Sequence, residues 1–373
     1  MINLRSVEMA TVVPLADVER ELNQRLKLLQ GPGEAPVQLT RMANLVIFTT
    51  SPGRAALIEA QLPEIVAVHP ARVLLLTGEL GPNDKPLETA VRVRPIQVGR
   101  RQAFCEQVNL SAGGPSVDRL PFAVRALLIG DLPTNLWWAA SMPPPLAGAL
   151  LFDLAEQAEQ IMYDSLGWPD PARGVAATAG WLEQVERPAS GGWRVASDLN
   201  WRWLKYWRRL AAQALDPASA PGAAETVTEL YAEHGPHGVV QAWELVSWLT
   251  LRLGWTVKGS KVNPGTEMVW YCTTAHGDAR VCIHRLEEGP PALRRLRIVC
   301  KLNDKPAAMN LVAERSHRLA IQLEGVEGEP RTITLPPLTP AEVVGRQLSD
   351  RERDPVFLAS MKVAQVMAQS VLG

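Results

Sequence analysis

Cysteine is scarce in this chain. Its four residues form no close-spaced pair, which argues against a disulfide scaffold and against a zinc ribbon. Excess charge of either sign is missing too. The formal net charge is −1, so no basic footprint for nucleic acid is present. No apolar run approaches the ~20 residues that cross a bilayer, so no membrane partner is expected. The opening MINLRSVEMATVV carries Glu8 and lacks the order of a secretory signal, and a cytoplasmic protein is expected. Phenylalanine and tyrosine are few, at five and four residues, whereas tryptophan numbers twelve. Tryptophan fills cores in place of phenylalanine, but it is also enriched at interaction hot spots.

The usual catalytic signatures are absent as well. After the first long strand comes Thr50-Ser51-Pro52-Gly53-Arg54, which is neither G-x-G-x-x-G nor a Walker A loop. Gly31-Pro32-Gly33 precedes that strand and stands in the wrong order. G-x-S-x-G is missing, and no Ser-His-Asp or Cys-His arrangement is visible. His234 and His237 flank the turn Gly235-Pro236, and no cysteine or carboxylate cluster joins them, so no metal site is expected.

What is present is the mix of a soluble globular protein, 47% hydrophobic and 21% charged. Its 373 residues have room for two domains of about 150 each. The boundary is placed at 166/167, where Gly167 to Gly174 is rich in proline and glycine. Residues 1–166 read as an α/β domain. Leu15, Val18, Leu22, Leu26 and Leu29 mark an amphipathic helix from Pro14 to Gln30. ANLVIFTT (Ala43 to Thr50), a helix from Arg54 to Leu62, and ARVLLLT (Ala71 to Thr77) make a strand-helix-strand unit with a parallel sheet. Thr89 to Val98 and Gln102 to Leu110 read as a hairpin through Gly99-Arg100-Arg101 at the sheet edge.

The segment Val117 to Ala140, VDRLPFAVRALLIGDLPTNLWWAA, organises this domain. Ala123 to Ile129 and Asn135 to Ala140 read as two buried strands around a turn at Gly130 to Thr134. Trp137 and Trp138 must then serve opposite faces. A helix from Leu146 to Ala158 and a strand from Gln160 to Asp164 follow. The expected fold is an open, mostly parallel, Rossmann-like three-layer domain. Arg54, Asp131 and Asp164 would stand at strand ends, where α/β proteins place ligands.

Residues 167–373 read as an α+β domain. A helix is expected from Val175 to Val185. Asp198 opens a Trp-rich helix, DLNWRWLKYWRRLAAQAL, with Arg202, Lys205 and Arg209 as a basic stripe. Val227 to Glu233 fits a strand or a short helix, and Gln241 to Gly254 a helix. Strands at Met268 to Thr273, Arg280 to Leu286, Leu293 to Leu302, Ser316 to Glu324 and Arg331 to Leu335 form an antiparallel meander. Helices at Ala341 to Leu348 and Pro355 to Leu372 end the chain. Cys272 and Cys282 flank one hairpin. A three-residue loop would set them opposite each other as a redox pair; a two-residue loop would put them on opposite faces.

Several segments, in order, resemble the glucose-6-phosphate dehydrogenase assembly protein family (OpcA-like proteins). They are LTRMANLVIFTT, HPARVLLLTGEL, SAGGPSVDRLPFAVRALLIGDLPTNLWW, QIMYDS and DLNWRWLKYWRRLAA. The resemblance covers roughly the first 215 residues; beyond them only the element pattern agrees. It implies a cofactor-free, non-catalytic protein of the oxidative pentose phosphate pathway that binds glucose-6-phosphate dehydrogenase and promotes its assembly or activates it allosterically. Under that reading the partner-binding candidates are Trp137, Trp138, Trp201, Arg202, Lys205 and Arg209. The alternative is an enzyme or sensor that holds a sugar phosphate or nucleotide near Arg54, Asp131 and Asp164.

Overall fold

The computed structural model describes residues 9–29, 39–98, 101–186, 194–218, 220–302, 305–315, 318–324, 331–335 and 338–373. The expected turn residues Gly99 and Arg100, the Gly31-Pro32-Gly33 stop and Ser316 lie outside them. The chain divides into two units. The first is Met1–Asp164 with Val185–Leu199 and Thr339–Glu352; the second is Ser165–Gln184, Asn200–Leu338 and Arg353–Gly373. The two returning segments, read from sequence as part of the second domain, thus belong to the first.

The first unit runs β1 (Thr11–Val12), α1 (Val18–Leu29), β2 (Ala43–Thr49), α2 (Pro52–Val68), β3 (Ala71–Glu79), β4 (Lys85–Val98), β5 (Arg101–Gly113), α3 (Leu120–Leu127), β6 (Thr134–Trp138), α4 (Ala149–Ala155) and β7 (Gln160–Tyr163). After α5 (Pro171–Glu186) comes β8 (Val195–Asp198), which returns to this sheet. The strand order is β1-β4-β5-β3-β2-β6-β7-β8. From β5 to β8 all neighbours are parallel, while β4 and β1 add antiparallel at one edge. The sheet is therefore α/β and mostly parallel. Its centre is apolar on both faces: every residue of β2 and β6 is buried.

One expected strand is a helix. Ala123 to Ile129 falls largely in α3, because the apolar spacing is helical: Leu120, Ala123, Val124 and Leu127 are buried, while Phe122 and Arg125 face out. Pro121 in its first turn suits that start. The turn that follows is clamped by Asn44 at the beginning of β2. Its Nδ2 donates to the carbonyls of Ile129 (3.0 Å) and Leu132 (3.2 Å), and its Oδ1 accepts from the Ile129 amide (3.1 Å).

Near the same sheet end lies a buried ionic cluster. Arg72 Nε donates to Glu106 at 2.7 Å, Arg41 pairs with the other Glu106 oxygen, and Arg72 also reaches Glu19 at 3.1 Å. Burial alone would lower the Arg72 pKa, but hydrogen bonds and charge from Glu19 and Glu106 outweigh it and raise the value.

The second unit contains α5 up to Gln184, then α6 (Leu199–Trp203), α7 (Lys205–Ala214), β9 (Glu229–His234), α8 (Val239–Arg252), β10 (Thr256–Asn263), β11 (Glu267–Thr274), β12 (Gly277–Arg285), β13 (Leu293–Leu302), β14 (Lys305–Arg315), β15 (Arg318–Glu324) and β16 (Arg331–Thr334). Then come α9 (Pro340–Ser349), which belongs to the first unit, and α10 (Pro355–Leu372). The sheet order is β10-β11-β12-β9-β13-β14-β15-β16. It is antiparallel throughout except for the pair β9 and β12. β10 and β14 were not expected: β10 is largely exposed and lacks a clean alternation. The expected single Trp-rich helix is broken at Leu204.

By length and composition α10 could cross a membrane. Here Phe357, Met361, Ala364 and Met367 line its buried face, and the helix packs against α8 and β10. In the first unit α9 crosses α2 closely at Gly345. A Cβ there would lie 2.8 Å from the Val68 Cβ, so the crossing requires glycine.

Candidate functional site

The chain leaves β2 in one direction, to β3 and β5, and later fills the other side with β6, β7 and β8. The switch point therefore lies between β2 and β6. In sheets of this order dinucleotides bind outside the carboxyl ends of the strands at that point. Phe48 and Trp138 are register partners there, and their rings stack with centroids 4.6 Å apart at 21°. Trp138 Nε1 donates to the Met142 carbonyl at 2.8 Å, and the Ala139 amide donates to the Phe48 carbonyl at 2.8 Å. Gly78 closes on the stack from β3, since a Cβ there would come within 2.8 Å of the Phe48 ring.

Beside the stack lies a cavity of 130 Å³ lined in part by Thr50, Leu80, Val117, Asp118 and Leu150. Pockets that hold cofactors are typically about 300–1,000 Å³. The start of α2 is also unsuited to phosphate. Ser51 Oγ already accepts the Arg54 amide at 3.5 Å, and Pro52 has no N–H to offer. The residues present do not fit a dinucleotide.

Leu80, which lines this cavity, is 56% exposed. Three other large apolar side chains of the same unit face solvent: Leu146 is 46% exposed, Phe122 71% and Phe152 52%. Phe122 and Phe152 sit on α3 and α4, which an Arg125–Glu156 ion pair ties together. The sequence reading missed both phenylalanines. The signal was there once LPFAVRAL is read at helical spacing, because Phe122 then falls off the buried face.

Trp137 and Trp138 lie on opposite faces, but both are buried, at 3% and 2% exposed. They are core and not surface anchors, because β6 is central in its sheet. Trp201 is buried too. Its Nε1 donates to Asp354 at 2.7 Å, and the Arg208 guanidinium lies 3.5 Å over its ring. Burial pushes the Arg208 pKa down to about 10, with Glu244 and Asp354 acting the other way. Lys205 and Arg209 are exposed one turn apart on α7, while Arg202 is half-buried on α6, so the three do not form one stripe.

Arg54 and Asp164 meet as an ion pair at 3.6 Å at the carboxyl end of the sheet. Asp131 stands at the opposite end, in the turn that enters β6, because the segment before it is a helix. These three residues do not line one cleft.

Cys272 and Cys282 are not a redox pair. The hairpin loop is Ala275-His276, two residues, so Cys272 faces Ala279 and Cys282 faces Val269. The two thiols point to opposite faces of the sheet. Burial raises both pKa values, Cys272 to about 11; for Cys282 the Glu267 carboxylate adds to the effect. Neither is a ready thiolate at neutral pH. Prolonged exposure to oxidised glutathione should leave all four cysteines unlinked in a peptide map; a Cys272–Cys282 peptide would contradict the register.

Fold and site together define a two-unit α/β protein whose first sheet has a doubly wound order and whose switch-point crevice is filled by its own aromatic side chains. A solved "putative oxidoreductase" from Parabacteroides merdae has a similar fold, with TM-score 0.52 and 8% identity over 91% of this chain and 99% of that one. The family described as glucose-6-phosphate dehydrogenase subunit N-terminal domain matches residues 63–179, and its C-terminal counterpart matches 194–361. The chain belongs to this OpcA-like glucose-6-phosphate dehydrogenase assembly family.

Among its relatives, "Putative OxPP cycle protein OpcA" of Nostoc punctiforme is 29% identical over 52% of this chain and 40% of its own length. The protein of the same name from Synechococcus elongatus is 24% identical over 82% of this chain and 70% of its own. The matches to the Nostoc and Synechocystis proteins thus span only 40% and 41% of those proteins.

Proposed function

We propose that this chain is a non-catalytic partner of glucose-6-phosphate dehydrogenase, which it binds in the cytoplasm and activates by favouring the enzyme's assembled or active form. One observation carries the reading. The crevice in which a sheet of this order would hold a cofactor is filled by Phe48 and Trp138, while the same unit exposes Leu80 at the cavity and Phe122, Leu146 and Phe152 on the segments that follow β5 and β6. Membership of a glucose-6-phosphate dehydrogenase assembly family supports that partner. Exposed aromatic side chains serve as anchors that dominate the energetics of interaction surfaces.

An activator must bind the active form of its target more tightly than the inactive one. A tenfold shift needs about 1.4 kcal/mol of differential affinity, within the reach of one aromatic anchor. Mixed with the dehydrogenase of its own organism, the chain should co-elute with it in size exclusion and change its activity. Phe122→Asp with Phe152→Asp should weaken the complex by at least about tenfold while leaving the circular dichroism spectrum unchanged. A chain that neither co-elutes nor alters activity would overturn the partner. A charged double variant that binds as tightly as the parent would overturn the surface.

A further inference from the structure

The second unit holds a cleft that the family reading does not use. Its sheet has one parallel pair, β9 and β12, and both strands end on a basic residue. His234 and Arg285 are register partners at those carboxyl ends. They share the sheet face on which Leu230, Ala232 and Ala279's neighbour Val281 are buried, the face covered by α8. Five residues after His234, α8 begins at Val239. Its N-cap, Gly238, provides no side-chain hydrogen bond. The cleft between these elements measures 210 Å³, and Val239, Val262, Met268 and Ile283 line it together with the two basic residues.

Arg285 carries a charge beside His234, and among the described residues no ion pair holds it. Glu267 also borders the cleft, but its carboxylate accepts the Cys282 thiol at 3.1 Å. Register sets that contact on the opposite face, with Val269 and His284, whereas Met268 and Ile283 face the cleft. His234 is 2% exposed, and its Nδ1 donates to the Gly235 carbonyl at 2.7 Å. Its Nε2 is thereby left for a ligand. The start of a 14-residue helix whose N-cap supplies no side-chain hydrogen bond adds a third anion-favouring feature.

We infer that this cleft binds a small organic carboxylate, with the charged end held by Arg285, His234 and the α8 N-terminus and an apolar body of a few carbons against Val239, Val262, Met268 and Ile283. Carboxyl ends of parallel strands are where α/β sheets take ligands. An arginine offers a carboxylate two parallel hydrogen bonds. Burial and the neighbouring Arg285 and His284 charges hold the His234 pKa below its ordinary value. A bound anion counters those charges and lets Nε2 take up a proton.

The inference does not depend on the dehydrogenase reading, and its test needs no partner. The intact chain is titrated with 4-methylpentanoate, 4-methylpentanol and inorganic phosphate, by calorimetry and by the ring signals of the histidines in NMR. The carboxylate should bind one to one and shift the His234 signal. The alcohol, which lacks the charge, and phosphate, which lacks the apolar body, should each bind at least about tenfold more weakly. Arg285→Gln, at an exposed position that leaves the fold intact, should lose about tenfold in affinity. No saturable binding, an Arg285→Gln variant that binds as well as the parent, or phosphate binding as tightly as the carboxylate would each overturn the proposal.

Discussion

Trp138→Ala should destabilise the first unit by about 3–5 kcal/mol, the usual cost of removing a large aromatic side chain from a packed core. The side chain is 2% exposed, stacks on Phe48 at 4.6 Å and donates to the Met142 carbonyl. Alanine removes the ring contacts, empties space next to an existing 130 Å³ cavity, and leaves the Met142 carbonyl without that donor. Trp138→Phe keeps a ring against Phe48 and loses mainly the hydrogen bond and part of the volume, so it should cost clearly less. Urea unfolding of both variants, followed by near- and far-ultraviolet circular dichroism, reads the difference. A loss below about 1 kcal/mol for alanine would mean that the crevice is not a packed core.

Glu106→Gln should be of similar size, at about 3–5 kcal/mol, for an electrostatic reason. Glu106 is 1% exposed and holds Arg72, itself 4% exposed, together with Arg41. A neutral amide leaves the Arg72 cation in a dry site with Glu19 as its remaining carboxylate. Removing one member of a buried pair strands the other, whereas replacing both with apolar residues removes the problem. Glu106→Leu combined with Arg72→Met should therefore recover much of the loss. If the double replacement is as damaging as the single one, the cluster acts by geometry and not by mutual neutralisation. Both experiments concern the first unit's sheet, one at each of its ends.

Much of this was legible from residue order. Continuous apolar runs such as ANLVIFT and ARVLLLT, joined by a helix in a strand-helix-strand unit, read as strands covered on both faces of a parallel sheet. Helix starts at Thr339 and Asp354 carry their own capping side chains, so the two final helices could be placed without tertiary information. Short apolar runs are the weak point, because strand and buried helix look alike over seven residues. The segment Ala123 to Ile129 failed for that reason, and its failure moved Asp131 from one end of the sheet to the other.

The candidate site was less legible than the fold. The order of residues established that no phosphate-binding loop follows β2 and that Trp137 and Trp138 face opposite ways, because both are local properties of spacing and strand geometry. Tertiary structure alone decided that Trp138 meets Phe48 across the switch point and fills it, since 90 residues separate them and only the parallel pairing of β2 and β6 brings the rings together. It alone decided that Trp201 lies beneath Arg208, that Cys272 and Cys282 face apart, and that His234 and Arg285 end on neighbouring strands. Burial, register and charge pairing arise from contacts distant in sequence, and a residue's type states what it can do without stating which neighbour it will meet.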